Sequence, residues 1–286
     1  MTRVLVTGSG GFIGRRTPAP LAARGFEVVR NTEDLLAPGA AERVIADVQP
    51  THLLHLAWYA EHGKFWTSPE NVRWVEASLA LLRAFAAGGG QRAVVAGTCA
   101  EYDWTVGDGT LREDAPLRPA TLYGSAKAGL NEVAGAFAAG AGCSFAWGRV
   151  FFLYGPDEAP GRLFASVARS LLAGEPARTS SGEQVRDFLH ADDVAAAFAA
   201  LVGSAVVGPV NIASGVPVAV RDLVAEIALA TDRAELLELG ALPQRPGEPP
   251  RIVADVRRLR EEVGFRPEFD LAGGVAAAVE ALRRPA

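Results

Sequence analysis

The sequence predicts an α/β fold, a doubly wound parallel sheet followed by a smaller C-terminal region. Three observations carry this. Short β-rich runs alternate with alanine-rich helical stretches through the first half, the pattern of βα units. Three glycines, Gly8, Gly11 and Gly14, fall between the first apolar run, Val4-Leu5-Val6, and an apolar segment that reads as helix. The second half then changes character, with more Gly and Pro, shorter helices and loop-rich stretches at residues 155–161 and 241–250.

In chain order, strands are expected at residues 3–7, 27–30, 52–56, 93–97 and 144–152, and helices at 12–24, 69–87 and 122–139. Ser68-Pro69-Glu70 is a helix start: a capping hydroxyl, a proline at the first helical position and an acid near the positive dipole end. Residues 194–220 carry one charge-poor run that Gly203, Gly208, Pro209, Asn211, Gly215 and Pro217 interrupt, so it reads as helix, turn, buried strand and turn rather than as a membrane span. Because residues 185–214 again resemble sheet and helix, the chain is expected to return to its first domain. The division is then 1–152 with 186–213 for a dinucleotide-binding domain, and 153–185 with 214–286 for a substrate domain.

At 286 residues and 49% hydrophobic, the chain can bury a large core. A net charge of -5 provides no basic field for nucleic acid. Two cysteines, Cys99 and Cys143, are too few for a disulfide framework or a zinc cluster and suit a reducing compartment. Met1-Thr-Arg-Val-Leu-Val-Thr7 runs directly into a strand without a signal-like apolar core, so a cytoplasmic protein is expected.

The glycines of Thr7-Gly-Ser-Gly-Gly-Phe-Ile-Gly14 let the backbone turn tightly and approach a pyrophosphate, while the following helix offers free amides. The first domain is therefore read as a Rossmann-type dinucleotide site lined by Gly8, Gly11, Phe12, Ile13 and Gly14. The second strand ends on Arg30, where an acid would bind the ribose hydroxyls of NAD. An arginine there pairs with a 2′-phosphate instead, so NADP is favoured, with NAD possible. Arg15 and Arg16 either add to that pocket or are solvated surface residues. Asp34-Leu35 is placed to meet the adenine.

Of 28 basic residues only Lys64 and Lys127 are lysines. Lys127 follows Tyr123 by four residues, a spacing that chance supplies about 0.03 times in a chain of this composition. Four residues apart on a helix share a face, so both side chains point the same way. An ammonium beside a phenol favours the phenolate and suits the tyrosine to acid/base work, and a compact ammonium also donates to ribose hydroxyls. Thr98, at the end of the strand expected at 93–97, is placed to orient a substrate oxygen beside the phenol; strand-end threonines are also common as structural residues.

These residues, with His55-Leu56-Ala57, Thr98-x-x-x-Tyr102, Arg149-Val-Phe-Phe-Leu-Tyr-Gly-Pro156, Gln184-Val-Arg-Asp-Phe-Leu-His-Ala-Asp-Asp193, Asn211-Ile-Ala-Ser-Gly215 and Arg245-Pro-Gly-Glu248, resemble an extended short-chain dehydrogenase/reductase of the nucleotide-sugar epimerase, dehydratase and ketoreductase group. The resemblance covers nearly the whole chain. It implies that Thr98, Tyr123 and Lys127 form a catalytic triad, that Leu56 and Ala57 line the cofactor and Leu35 the adenine, and that Arg186 and Arg245 hold a nucleotide diphosphate. For Arg186 a salt bridge to Asp187 or Asp193 is the alternative. It also implies a homodimer through the helices at 69–87 and 122–139.

Two departures narrow the reaction. Dehydratases of the group carry Asp-Glu directly after the catalytic threonine; here Cys99 and Ala100 stand there, which disfavours dehydration. Phe152 replaces the asparagine that contacts substrate in many relatives. The aromatic stretch Trp58 to Trp66, with Trp74 and Trp104, either walls a sugar pocket or forms ordinary core and dimer contacts. The expectation is an NADPH-dependent reductase of a nucleoside-diphosphate 4-keto-6-deoxyhexose. The alternatives are a 4-epimerase that retains NAD and a non-catalytic NADP(H) sensor, the latter opposed by the presence of Tyr123 and Lys127.

Overall fold

A computed structural model describes residues 2–105, 110–244 and 246–284. Its larger sheet is entirely parallel, in the order β10-β6-β4-β3-β1-β2. These strands are β1 (Arg3–Thr7), β2 (Glu27–Arg30), β3 (His52–His55), β4 (Arg92–Thr98), β6 (Ser144–Val150) and β10 (Gly208–Ile212). Both faces are covered, which is why the strands read as continuous apolar runs. Leu5, Leu53, Val95 and Trp147 meet α2 (Ala40–Val48), α3 (Glu70–Ala87) and α4 (Leu122–Gly140) on one face. Val4, Val6, Leu54, Val94 and Ala146 point the other way, toward α1 (Pro18–Ala22) and α6 (Ala191–Val202).

The helix expected at 12–24 is not continuous. A 3-10 turn, Gly14–Arg16, precedes the five-residue α1. Pro18 and Pro20 have no N–H for the carbonyls of Gly14 and Arg16, so a helix can begin at Pro18 but cannot run through it. The other helices fall close to expectation. Ser68 Oγ accepts from the Glu70 amide at 3.2 Å at the start of α3, and Thr121 Oγ1 accepts from Gly124 at 3.1 Å at the start of α4.

The run expected as one strand at 144–152 divides. β6 ends at Val150, and β7 (Phe152–Tyr154) leaves for a second sheet, where it pairs with β9 (Val185–His190). That sheet has the order β11-β9-β13-β5, with β5 (Thr110–Leu111), β11 (Pro217–Ala219) and β13 (Arg251–Ala254). Residues 186–190 thus lie in the smaller sheet, whereas α6 and β10 rejoin the larger one. A third core under α5 (Leu163–Leu172), α7 (Val220–Ala230) and α8 (Leu271–Arg283) holds Phe164, Leu171, Leu223, Ile227 and Val279, flanked by the short pair β8 (Ala177–Arg178) and β12 (Leu237–Glu238). Among the described residues no helix is long and apolar enough to cross a membrane. The sheets are joined by Asn211, whose side chain donates to the carbonyls of Leu111 and Asp255 and accepts from the Tyr102 hydroxyl at 2.6 Å.

Candidate active site

Beyond the C-terminal ends of β1, β2 and β3 lies a cavity of about 230 Å³, lined by Gly8, Gly10, Gly11, Asn31, Asp34, Leu35, Ala57 and Trp74 among others. At Gly8 and Gly14 of this turn nothing larger fits. A Cβ on Gly8, whose φ is +67°, would lie 2.7 Å from the Ala57 amide nitrogen, and one on Gly14 would lie 2.1 Å from the Gly8 carbonyl oxygen. Such a turn leaves backbone open to a pyrophosphate, so the cradle fits a dinucleotide. Its donors belong to the turn itself, because α1 is too short to supply a large dipole.

The three arginines expected near a 2′-phosphate separate. Exposed Arg30 remains at the rim, with its guanidinium 3.2 Å from the Ser9 carbonyl. Arg15 and Arg16 turn away. Arg15 folds back on the Gly10 and Gly11 carbonyls and pairs with Asp157 at 3.4 Å. The side chain of Arg16 is largely buried; it pairs with Asp192 at 2.8 Å, stacks on Phe12 and bonds the Pro156 carbonyl, pinning the glycine turn to the loop after β7. Ile13 packs against the core, and Leu56 hydrogen-bonds the Thr7 carbonyl.

Thr98, Tyr123 and Lys127 converge at the C-terminal end of β4. The Thr98 hydroxyl hydrogen-bonds Tyr123, but burial outweighs it and pushes the phenol up to about 12. The expectation that Lys127 lowers the tyrosine is therefore not met in this structure. The ammonium instead donates to the Ala96 carbonyl at 2.8 Å and lies 3.6 Å over the Trp58 ring; its own burial draws it down to about 7.

Beneath Thr98 is a buried ion pair that the sequence reading did not assign. Glu101 accepts from the Thr98 amide at 2.8 Å, from Trp147 Nε1 at 2.9 Å and from Arg149 Nε at 2.7 Å. Burial pushes this carboxyl up, while the guanidinium and the other donors oppose the shift. The signal was present: Thr98-x-x-Glu101 is a capping box, and both of its hydrogen bonds form. It fixes the backbone that presents the Thr98 hydroxyl.

On the side expected to bind substrate, the Cys99 thiol is buried and pushed up to about 12 by desolvation, so it is neither an acid nor a base near neutral pH. Phe152 is half-buried, 6.0 Å from Phe188, with the Arg186 guanidinium 5.4 Å over its ring. Arg186 pairs with Glu248 at 2.8 Å, rather than with Asp187 or Asp193. Asp187 binds the Ser214, Gly215 and Ala254 amides, and Asp193 those of Glu268 and Phe269. Arg245 lies outside the described residues. The tryptophans divide by role. Phe65 and Trp66 meet the Tyr123 ring edge-on at 5.0 and 5.8 Å, Trp74 lines the cavity beside the glycine turn, and Trp104 donates to the Cys99 carbonyl at 2.9 Å. Among the described residues no cluster of His, Cys, Asp or Glu could hold a metal ion.

Known proteins agree with this architecture. Residues 4–213 match the NAD dependent epimerase/dehydratase family. The UDP-glucose 4-epimerase of Rhizobium meliloti is 27% identical over 94% of this chain and 93% of its own. The dTDP-glucose 4,6-dehydratase of Streptomyces griseus is 31% identical over 60% of this chain and 52% of its own. Among solved structures, the UDP-glucose 4-epimerase of Thermus thermophilus in complex with NAD superposes with a TM-score of 0.85 at 27% identity, covering 98% of this chain and 99% of that one. MoeE5 in complex with UDP-glucose and NAD superposes with a TM-score of 0.87 at 30% identity, covering 98% of both chains. This chain belongs to the NAD dependent epimerase/dehydratase family and is an enzyme of the extended short-chain dehydrogenase/reductase class.

Proposed function

We propose that the protein reduces a nucleoside-diphosphate 4-keto-6-deoxyhexose with NADPH. The observation that carries this reading is the Tyr123 phenol hydrogen-bonded to Thr98, with burial pushing it still further above neutrality, so that it stands protonated near pH 7. A protonated phenol is the form that donates to a carbonyl oxygen, whereas oxidation of a sugar hydroxyl needs the phenolate. Tyr123 delivers its proton to the C4 oxygen, Thr98 holds that oxygen, and Lys127 meets the nicotinamide ribose. The dinucleotide, held along Gly8, Gly11 and Gly14, supplies the hydride. Arg30 supports the phosphorylated cofactor, because among the described residues its guanidinium forms no ion pair and has only the Ser9 carbonyl to exchange for a 2′-phosphate. Arg186 and Arg245 hold the diphosphate, with Arg186 exchanging its Glu248 partner for it.

Dehydration is disfavoured by the same geometry. Ala100 carries no acid, the Cys99 thiol is held neutral, and Glu101 is turned into the core. A second reading, 4-epimerisation with retained NAD, draws support from relatives named UDP-glucose 4-epimerases that span most of the chain. Purified protein mixed with NADPH and dTDP- or UDP-4-keto-6-deoxyglucose is expected to consume NADPH. Protein that carries NAD through purification and interconverts UDP-glucose and UDP-galactose without added cofactor would establish the epimerase instead. The homodimer is proposed through α3 and α4, which pack together and leave Val72, Val133 and Phe137 exposed; light scattering at the monomer mass would exclude it.

A further inference from the structure

We infer that Trp58 is a positioning residue for Lys127: its indole face holds the ammonium against the Ala96 carbonyl. The lysine is 4% exposed, and among the described residues no carboxylate forms an ion pair with it. Its Nζ lies 2.8 Å from Ala96 O, 3.6 Å from the centre of the Trp58 ring and 5.9 Å from that of Trp147. An aromatic face at that distance offers a buried cation favourable electrostatics without a counter-charge.

The titratable groups around the lysine do not replace it. Glu101, on the turn after β4, is attractive, but its carboxylate is already bonded to Arg149, Trp147 and the Thr98 amide. His55 on β3 is neutral, drawn down to about 3 by burial and then by the Lys127 charge itself. Tyr123, one turn earlier on α4, is protonated near neutral pH.

The indole is itself held in place. Trp58 Nε1 donates to Asn71 Oδ1 at 2.9 Å, and the fully buried Asn71 amide donates to the carbonyls of Phe65 and Ser68 at 2.7 and 2.8 Å. Trp58 also lies 6.2 Å from Trp74, which lines the cavity beside the glycine turn. The aromatic stretch after β3 therefore orders the lysine rather than serving only as a wall for sugar.

The catalytic meaning of this inference rests on the function proposed above, but its test does not use the reaction. The chain has only two lysines, so protein labelled with ¹³C at lysine Cε gives two resonances. The Lys64→Arg variant identifies the exposed one. The other is expected to titrate near neutral pH and to be displaced by the indole ring current. Trp58→Leu keeps an apolar side chain but removes the ring, and is expected to move that midpoint down by about one pH unit and abolish the displacement; Trp58→Phe moves it roughly half as far. An unchanged or raised midpoint in either variant overturns the inference. Should Trp58→Leu fail to fold, Trp58→Phe decides alone. Failure to consume NADPH would count against the reductase reading and leave these titrations unaffected.

Discussion

Gly14→Ala puts the dinucleotide cradle under direct test. The added Cβ would meet the Gly8 carbonyl oxygen at 2.1 Å, the Gly8 carbonyl carbon at 2.8 Å and Ser9 Cα at 2.9 Å, all of them backbone. Ordinary contact begins at 3.4 Å, so the two sides of the turn must part by about 1.3 Å. No flexible side chain is available to absorb that movement. Overpacking of this kind costs about 1–3 kcal/mol, and the amides that face the pyrophosphate move with the turn. Thermal unfolding without cofactor is expected to fall by several degrees, and dinucleotide affinity, read by fluorescence titration, by about 100-fold, or about 2.8 kcal/mol. Gly10→Ala is the control, because a Cβ there meets nothing within 4 Å and its φ is not positive; its melting temperature should stay close to wild type. A Gly14→Ala protein with wild-type melting and wild-type affinity would refute the reasoning.

Tyr123→Phe keeps the ring packing against Phe65 and Trp66 and loses the hydrogen bond with Thr98, so stability should change by about 1 kcal/mol or less. Its kcat/KM should fall by about 10² to 10⁴, and a variant as active as wild type would remove the phenol from the mechanism. Arg149→Met leaves Glu101 buried without its counter-charge and should cost about 3–5 kcal/mol in chemical denaturation, with part recovered in the Glu101→Gln/Arg149→Met double variant. His55, bonded between Thr7 and Ser78, has its pKa lowered from 6.5 to about 3. The unfolded chain therefore binds a proton in that window that the folded one does not, and stability falls as pH drops below 6.5. Relative to His55→Gln, wild type should lose about 1.4 kcal/mol per pH unit down to about pH 3; a difference independent of pH would contradict a buried neutral imidazole.

The arrangement of the candidate site was legible where it depends on local spacing. Tyr123 and Lys127 share a helix face whatever the rest of the chain does, and Gly8, Gly11 and Gly14 announce a turn that only small residues can make. Errors arose where a local pattern met a constraint of another kind. Pro18 and Pro20 divide an apolar helical pattern through their missing N–H groups, and Phe152 continues an apolar run while its strand changes sheets. Arg15 and Arg16 could not be placed from sequence, because their partners Asp157 and Asp192 lie more than a hundred residues away.

What the sequence determined alone was the class of fold, the glycine turn and the chemical types gathered at the candidate site, since each follows from periodicity, backbone freedom or spacing along one element. Only the tertiary structure decided their electrostatics. Burial, a property of the whole packing, raises Tyr123 and lowers Lys127, where sequence adjacency had suggested that the lysine would lower the tyrosine. Packing likewise laid the Trp58 ring over the ammonium, turned Glu101 inward to Arg149 and joined Arg186 to Glu248. Charge interactions depend on distance and desolvation in space, and those are set by contacts between elements far apart in the chain.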